Sequence, residues 1–354
     1  MNRLRILLSK LNQRLFLLSV ILGINFVQAE IRAHWMRQDI SRIPNIEVTA
    51  MAMDDQGNKW FGTKGGLARL SAYGAAWTTY TVESTQGAIK NNVINAIVID
   101  EYRDVWVATE SGVSYFSGGN WKTFTVQNTN NGLPDNFITS IALGKDHEKW
   151  FGTKNGFAEL RGNIWTTYSG EKISGRLPNK VVTAIAVENN GDKWIGTLAG
   201  LVRFNGAIWK THTKESTEEG LPHNSIVSIA LLPNGDKWIA TANGITKLSN
   251  LNGEIKKSSW TSFKDNSQLG DLASEQIYSL TTSFGSNKTG DVWVCSKGGA
   301  ALYKNGDWTL FTKANTSGGI PTKFVYAAMS GPNGEAWFGT HEGIVSLSYI
   351  DEED

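Results

Sequence analysis

The residues of this chain best suited to proton transfer or metal binding are two histidines, His223 and His341, each in a short segment between predicted strands. His34, His147 and His212 are scattered, and no acidic residue repeats beside His223 or His341 to complete a cluster. There is no Ser/His/Asp constellation, no phosphate-binding glycine loop and no Cys/His metal spacing, so no catalytic residue, metal or other cofactor is expected. The single cysteine, Cys295, cannot form an intramolecular disulfide and reads as a small buried strand residue. Binding is better served than catalysis. Ile46, Asn92, Asn136, Lys180, Asn224, Glu275 and Lys323 occupy one recurring position, where amides, lysines and a carboxylate can hydrogen-bond a polyhydroxylated or anionic ligand. At the recurring position three residues further on, Tyr278 and Tyr326 replace the residue type seen at Thr49 and offer a stacking wall of the kind sugars use. The competing explanation is that these polar groups cap strand ends and solvate a channel.

These positions recur because the chain repeats. A tryptophan followed by two apolar or small residues and then Thr or Ser opens at Trp60, Trp106, Trp150, Trp194, Trp238, Trp293 and Trp337, at intervals of 46, 44, 44, 44, 55 and 44 residues. A period in the forties with β-type composition predicts a propeller, one four-stranded blade per repeat. A second tryptophan follows each of the first six motifs, at Trp77, Trp121, Trp165, Trp209, Trp260 and Trp308, and the seventh lies at the other end of the chain as Trp35. All 14 tryptophans are thereby placed. The fold expected is an all-β, seven-bladed β-propeller of four-stranded blades, the last blade closed by the N-terminal strand so that no sheet edge is left open at the seam.

Within a repeat, four strands A to D run outward from the axis. Strand A alternates apolar and small residues, as in Val182-Thr183-Ala184-Ile185, and Asn/Asp-Gly turns such as Asn190-Gly191-Asp192 lead to strand B and its tryptophan. A glycine opens strand C in all seven repeats (66, 112, 156, 200, 244, 299 and 343), which predicts a backbone need for positive φ. Equally spaced tryptophans read as blade-to-blade packing, and turns such as Asp54-Asp55-Gln56-Gly57 lack the alternating acids of a calcium loop. The D–A and B–C connections should share one face and the A–B and C–D connections the other. The D–A spacing is constant, whereas extra length falls in blades five and six, around Leu251-Asn252-Gly253-Glu254 and between Ile277 and Trp293, and is expected on the A–B/C–D face. The D–A/B–C face, where the seven strand-A starts converge, keeps its geometry and varies its residues; a ligand would bind there.

Charged residues make up 19% of the chain, with 37 glycines against 7 prolines, which suits short strands and tight turns and argues against disorder. Arg3, Arg5, Lys10 and Arg14 precede an apolar run, Leu15 to Val27, too short to span a bilayer, with small residues following to Ala29. The expected organisation is a signal peptide, residues 1–29, and one propeller, residues 30–354, exported to the periplasm or beyond with no membrane insertion after cleavage. Removing those four cations takes the formal charge from +1 to −3 (+1 less four), so no electrostatic footprint for nucleic acid remains.

One full repeat, Asn131-Gly132-Leu133-Pro134-Asp135-Asn136, Ile138-Thr139-Ser140-Ile141-Ala142, Lys149-Trp150-Phe151-Gly152-Thr153, Asn155-Gly156 and Trp165-Thr166-Thr167-Tyr168, resembles the two-component regulator propeller repeat of bacterial periplasmic sensors. Gly220-Leu221-Pro222-His223-Asn224 and Gly319-Ile320-Pro321 echo it. The resemblance implies a sensor ectodomain that recognises an extracellular small molecule or oligosaccharide, or works with a membrane sensor protein. No transmembrane helix or kinase is seen after Tyr349, so a free-standing exported recognition module is expected. A second resemblance, to streptogramin-lyase-type propellers, implies a metal and a histidine on one face and keeps an enzyme built on His223 or His341 as the alternative. A protein-interaction scaffold is the third reading.

Overall fold

Seven antiparallel four-stranded sheets follow one another along the chain, each built from consecutive strands except the last. The computed structural model describes residues 32–72, 74, 76–249, 255–263, 275–284, 290–331 and 334–350. Residues 35–348 form one unit; of the other unit, residues 1–34 and 349–354, only the ends of two strands, residues 32–34 and 349–350, are described. The predicted signal peptide and the Leu251–Glu254 segment lie outside the described residues.

The seven A strands are Val48–Met53, Ile94–Ile99, Ile138–Leu143, Val182–Val187, Ile226–Leu231, Ile277–Phe284 and Val325–Ser330. Each contacts the next, and the first contacts the seventh, so the ring is closed as a seven-bladed propeller. The seventh sheet runs Val325–Ser330, Ala336–Thr340, Gly343–Ile350, then Arg32–Arg37, which supplies its outermost strand. Trp35 occupies there the place of a strand-D tryptophan. It packs 5.8 Å from Phe338, as Trp77 packs 5.6 Å from Phe61 and Trp165 5.4 Å from Phe151. Gly319 lies against Trp35 just as Gly132 lies against Trp165 and Gly220 against Trp260, too close for a side chain to intervene.

The repeat motif is explained residue by residue. Its tryptophans are 9% exposed or less and sit in clusters that join adjacent blades; Trp238 packs with Ile277, Leu280 and Val294 of the next blade. The small residue two places on faces the first core residue of the next strand A: a Cβ on Gly196 would sit 2.6 Å from Ile226, and one on Gly339 2.8 Å from Val48 across the seam. Cys295 fills this slot in blade six, is fully buried, and burial pushes its thiol pKa up to about 12. The closing Thr or Ser clips the B–C hairpin. In all seven blades its hydroxyl donates to the carbonyl of the strand-C glycine and accepts from the backbone N–H two residues on, as Thr109 does with Gly112 at 2.8 Å and Ser111 at 3.1 Å. That glycine has φ between +96° and +149° in every blade, as expected.

A lysine before the motif tryptophan adds a strut invisible to hydrophobic patterning. Lys59, Lys149, Lys193 and Lys237 place their ammonium groups 4.7 to 5.7 Å from the ring centres of Trp337, Trp106, Trp150 and Trp194 of the preceding blades. The added length in blade six falls between Ile277–Phe284 and Gly290–Ser296, an A–B connection, and that in blade five between Gly244–Leu248 and Trp260–Phe263, a C–D connection.

Candidate functional site

Every A strand pairs with its neighbour through a register shift between its first and third residues. The residue caught in between is Thr49, Asn95, Thr139, Thr183, Val227, Tyr278 or Tyr326, and a bulge of this kind re-aims the side chain it carries. All seven line a central channel of about 450 Å³. In the first three blades this residue ties its blade to the next: Thr49 Oγ1 donates to the Ile94 carbonyl at 2.6 Å, Asn95 Nδ2 to Ile138 at 2.8 Å, and Thr139 Oγ1 to Val182 at 2.6 Å. The bulged residues of the other four blades make no such bond among the described residues, although beside them Ser279 Oγ of blade six donates to the Tyr326 carbonyl of blade seven at 2.8 Å and the Leu280 N–H donates to Ser228 Oγ of blade five at 3.1 Å. Thr183 Oγ1 is buried without a partner, Val227 has no polar group, and blades six and seven carry tyrosines.

Tyr278 and Tyr326 meet with ring centres 4.8 Å apart, tilted by 58°. The Tyr326 hydroxyl lies 3.3 Å from Nδ1 of His341, which is 3.2 Å from Glu47 Oε1; the second Glu47 oxygen pairs with Lys64. Phe324 extends the aromatic arc, 5.6 Å from the His341 ring. Local backbone contacts fix this convergence. The Lys64 N–H donates to the Glu47 carbonyl and the His341 N–H to the Phe324 carbonyl, folding each B–C tip against the start of its own strand A. The two connection types therefore share a face, as expected.

The electrostatics follow from the packing. Glu47 raises the Lys64 pKa above that of a free lysine, chiefly by its hydrogen bond. Burial raises the Tyr326 pKa, helped by the Glu47 charge, and burial raises that of Tyr278, helped by Tyr326 and Glu275. Glu47 keeps only 20% of its side chain exposed, whereas Lys64 and His341 keep 53% and 45%. A half-buried carboxylate between two accessible cation-capable groups, beside two aromatic hydroxyls, can hold a ligand through several directed hydrogen bonds and a stacked face.

The sequence-derived candidates divide into three groups. Glu275, Tyr278, Tyr326 and His341 come together. Lys180 and Lys323 are exposed on the rim, Lys323 with its ammonium 5.5 Å from the Phe324 ring centre. Asn92, Asn136 and Asn224 use their amide oxygens to accept from the N–H groups of Val82, Val126 and Lys214, bracing their own D–A loops, as the capping explanation anticipated. His223 likewise accepts from the Ser225 N–H through Nδ1 at 2.9 Å, the turn bond made by Asn45, Asn91, Asp135 and Asn179 in other blades. Among the described residues no group of three or more His, Cys, Asp or Glu side chains is placed to hold a metal ion. Glu47, Lys64 and Phe324 were not singled out from the sequence; reading the residue directly before each strand A, one place beyond the position chosen, would have drawn attention to Glu47 and Phe324.

No protein-family model and no curated protein matches the chain in sequence. Solved structures share its fold. The extracellular domain of a hybrid two-component system of B. thetaiotaomicron superposes with a TM-score of 0.73 at 19% identity, covering 90% of this chain and 42% of that one. Virginiamycin B lyase from Staphylococcus aureus, in a catalytically inactive form with quinupristin, gives a TM-score of 0.67 at 16% identity, covering 91% and 100%. YCF48 bound to a D1 peptide gives 0.62 at 13%, covering 91% and 96%. The chain thus spans less than half the length of the first of these. At these identities the likeness is one of fold.

Proposed function

We propose that this chain is an exported recognition propeller that binds a small extracellular, polyhydroxylated ligand of glycan type at the channel mouth, in the sector of blades six, seven and one. One observation carries the reading. The bulged residues that bond blade to blade in blades one to three give way to two contacting tyrosines in the sector where Glu47, Lys64 and His341 converge. In a repeat protein, framework positions repeat; polar and aromatic departures that meet in one concavity are the features of a binding site. The fold shared with an extracellular two-component domain supports an exported location and a sensory use, in which a separate membrane sensor protein would read the bound state.

The test is calorimetric titration of the mature protein with soluble oligosaccharides preselected by a rise in melting temperature. Tyr326→Phe removes a hydroxyl, and Glu47→Gln removes the charge and turns one accepting oxygen into an amide donor; each should weaken a bound sugar about tenfold. A sugar bound equally well by wild type and both variants would move the site elsewhere. A second reading rests on the same contact: Glu47 holding Nδ1 of His341 leaves Nε2 available as a base. It predicts turnover of a streptogramin-type substrate that His341→Ala abolishes.

A further inference from the structure

A second set of departures from the repeat converges far from the channel, on a cleft of about 900 Å³ between the outer parts of blades two and three. At the A–B turn, the residue four before the motif tryptophan is Gln56, Asp146, Asn190 or Asn234 in other described blades, but Tyr102 in blade two, where it is 63% exposed. The next position is glycine at φ +81° to +87° in four blades, but His147 at +64° in blade three, and its ring lies 5.5 Å from that of Tyr102. The strand-C partner of the motif tryptophan is Tyr115 here, the one aromatic residue among its seven equivalents, its ring centre 4.3 Å from that of Trp106 and tilted by 40°. Trp165 and Phe124 complete an aromatic lining.

The charges of the cleft decide what it can take. Its carboxylates are engaged: Asp100 accepts from Lys149 Nζ and from Trp106 Nε1, both at 3.0 Å, and Asp104 accepts from the Tyr115 hydroxyl. Glu101, beside the cleft, pairs with His147. Lys149 is spent on Asp100 and the His147 carbonyl. Lys122 is exposed and lines the cleft, 5.0 Å from the Phe124 ring centre, with no carboxylate partner among the described residues. The amides of Asn130 and Asn163 line the same space.

From these features we infer a second ligand site, for a ring-bearing carboxylic acid whose flat face stacks on Tyr102 and whose carboxylate meets Lys122. Such an acid comes as a uronic sugar or as an aromatic acid, and the Asn130 and Asn163 amides suit hydroxyls on either. The site is independent of the channel-mouth reading.

The experiment is calorimetric titration of the full chain with trigalacturonate and, separately, with 4-hydroxycinnamate. One of them should bind, and whichever does identifies the source. Lys122→Met and Tyr102→Ala should each weaken it about tenfold or more, with unchanged melting temperature, while Tyr326→Phe leaves it unaffected. The esterified probe should bind at least about tenfold more weakly than the acid. Failure of both acids to bind at millimolar concentration overturns the inference. So does binding that survives both cleft substitutions, or equal binding of acid and ester.

Discussion

His212 should make this propeller lose stability in mild acid, by an amount that a single substitution removes. In five other blades the equivalent strand-D residue is Tyr80, Phe124, Tyr168, Phe263 or Phe311, and in blade seven it is Gln38; in blade four it is a histidine, 4% exposed, stacked 5.9 Å from Trp194 and tilted 60° at 5.9 Å from Trp260. Burial, reinforced by the charges of Lys210 and Arg203, lowers its pKa from 6.5 to about 4. Its folded pKa is depressed, so between these values the unfolded chain binds the proton and the folded chain does not. Stability is therefore full above pH 6.5 and falls as the pH drops towards 4. At about 1.4 kcal/mol per pH interval of separation, the loss is about 2 kcal/mol at pH 5 and about 3 kcal/mol at pH 4. His212→Phe restores the residue of neighbouring blades and removes a buried Nε2 that has no hydrogen-bond partner. Urea unfolding of both proteins at pH 7, 6, 5 and 4.5 should show the variant gaining on wild type by about 2 kcal/mol between pH 7 and pH 5. Comparing the two cancels the titration of carboxylates common to both. Parallel pH profiles, differing by a constant within about 0.5 kcal/mol, would refute the reasoning, as would an NMR titration of His212 with a midpoint near 6.5.

Two architectural predictions follow from the seam and from the strand-C glycine. Trp35→Ala removes the ring that packs on Phe311 and Phe338 and should cost about 3 kcal/mol in urea unfolding, lowering the stability of the whole ring in one transition; a loss below about 1 kcal/mol would mean the closing strand is an accessory. Gly112→Ala places a Cβ 2.5 Å from the Phe124 carbonyl oxygen at φ +133°, whereas Gly118→Ala, at φ +56°, meets nothing within 4 Å. The first should cost at least about 2 kcal/mol more than the second by thermal or urea unfolding, and equal costs would show that the backbone simply shifts.

The ring was legible because its determinants repeat. Fourteen tryptophans at two spacings, and a glycine at one place in every repeat, report a geometry that each blade must satisfy again, so even the strand exchange at Trp35 could be read from a count. The role of the motif Thr was not read, because a hairpin clip leaves no periodic trace beyond its own presence. The residues that meet in the candidate site were singled out only in part, and the reason is the bulge. A strand taken at strict period two sends alternate residues to opposite faces, but each A strand slips its register after its first residue. The slip turns the tyrosine positions, which were found, into the channel. It leaves Asn92, Asn136 and Asn224 bonded to their own loops, although the same count put them at the mouth. Lys64 was missed because its partner, Glu47, lies 17 residues before it, across strands A and B, where no sequence spacing announces a contact.

That the bulged residue of blade seven, Tyr326, bonds His341 of its own blade and, among the described residues, not the backbone of blade one also says what a ligand at the channel mouth would do to the fold. Hydrogen bonds from Thr49, Asn95 and Thr139 each contribute about 1 kcal/mol to holding one blade on the next. Blade seven is made from both ends of the described chain, and its outermost strand, Arg32–Arg37, runs on into blade one, so the ring is closed without a covalent link only where that strand pairs with Gly343–Ile350 inside blade seven. The Glu47–His341 contact joins blade one to the C-terminal strands of blade seven and so reinforces that closure, with the Glu47–Lys64 pair beside it. A ligand bonded at once to Tyr326 and to Glu47 would span blades seven and one, supplying the kind of link that Thr49, Asn95 and Thr139 supply elsewhere. Occupancy and ring closure would then be linked: whatever loosens the seam weakens binding, and whatever binds tightens the seam by the same free energy.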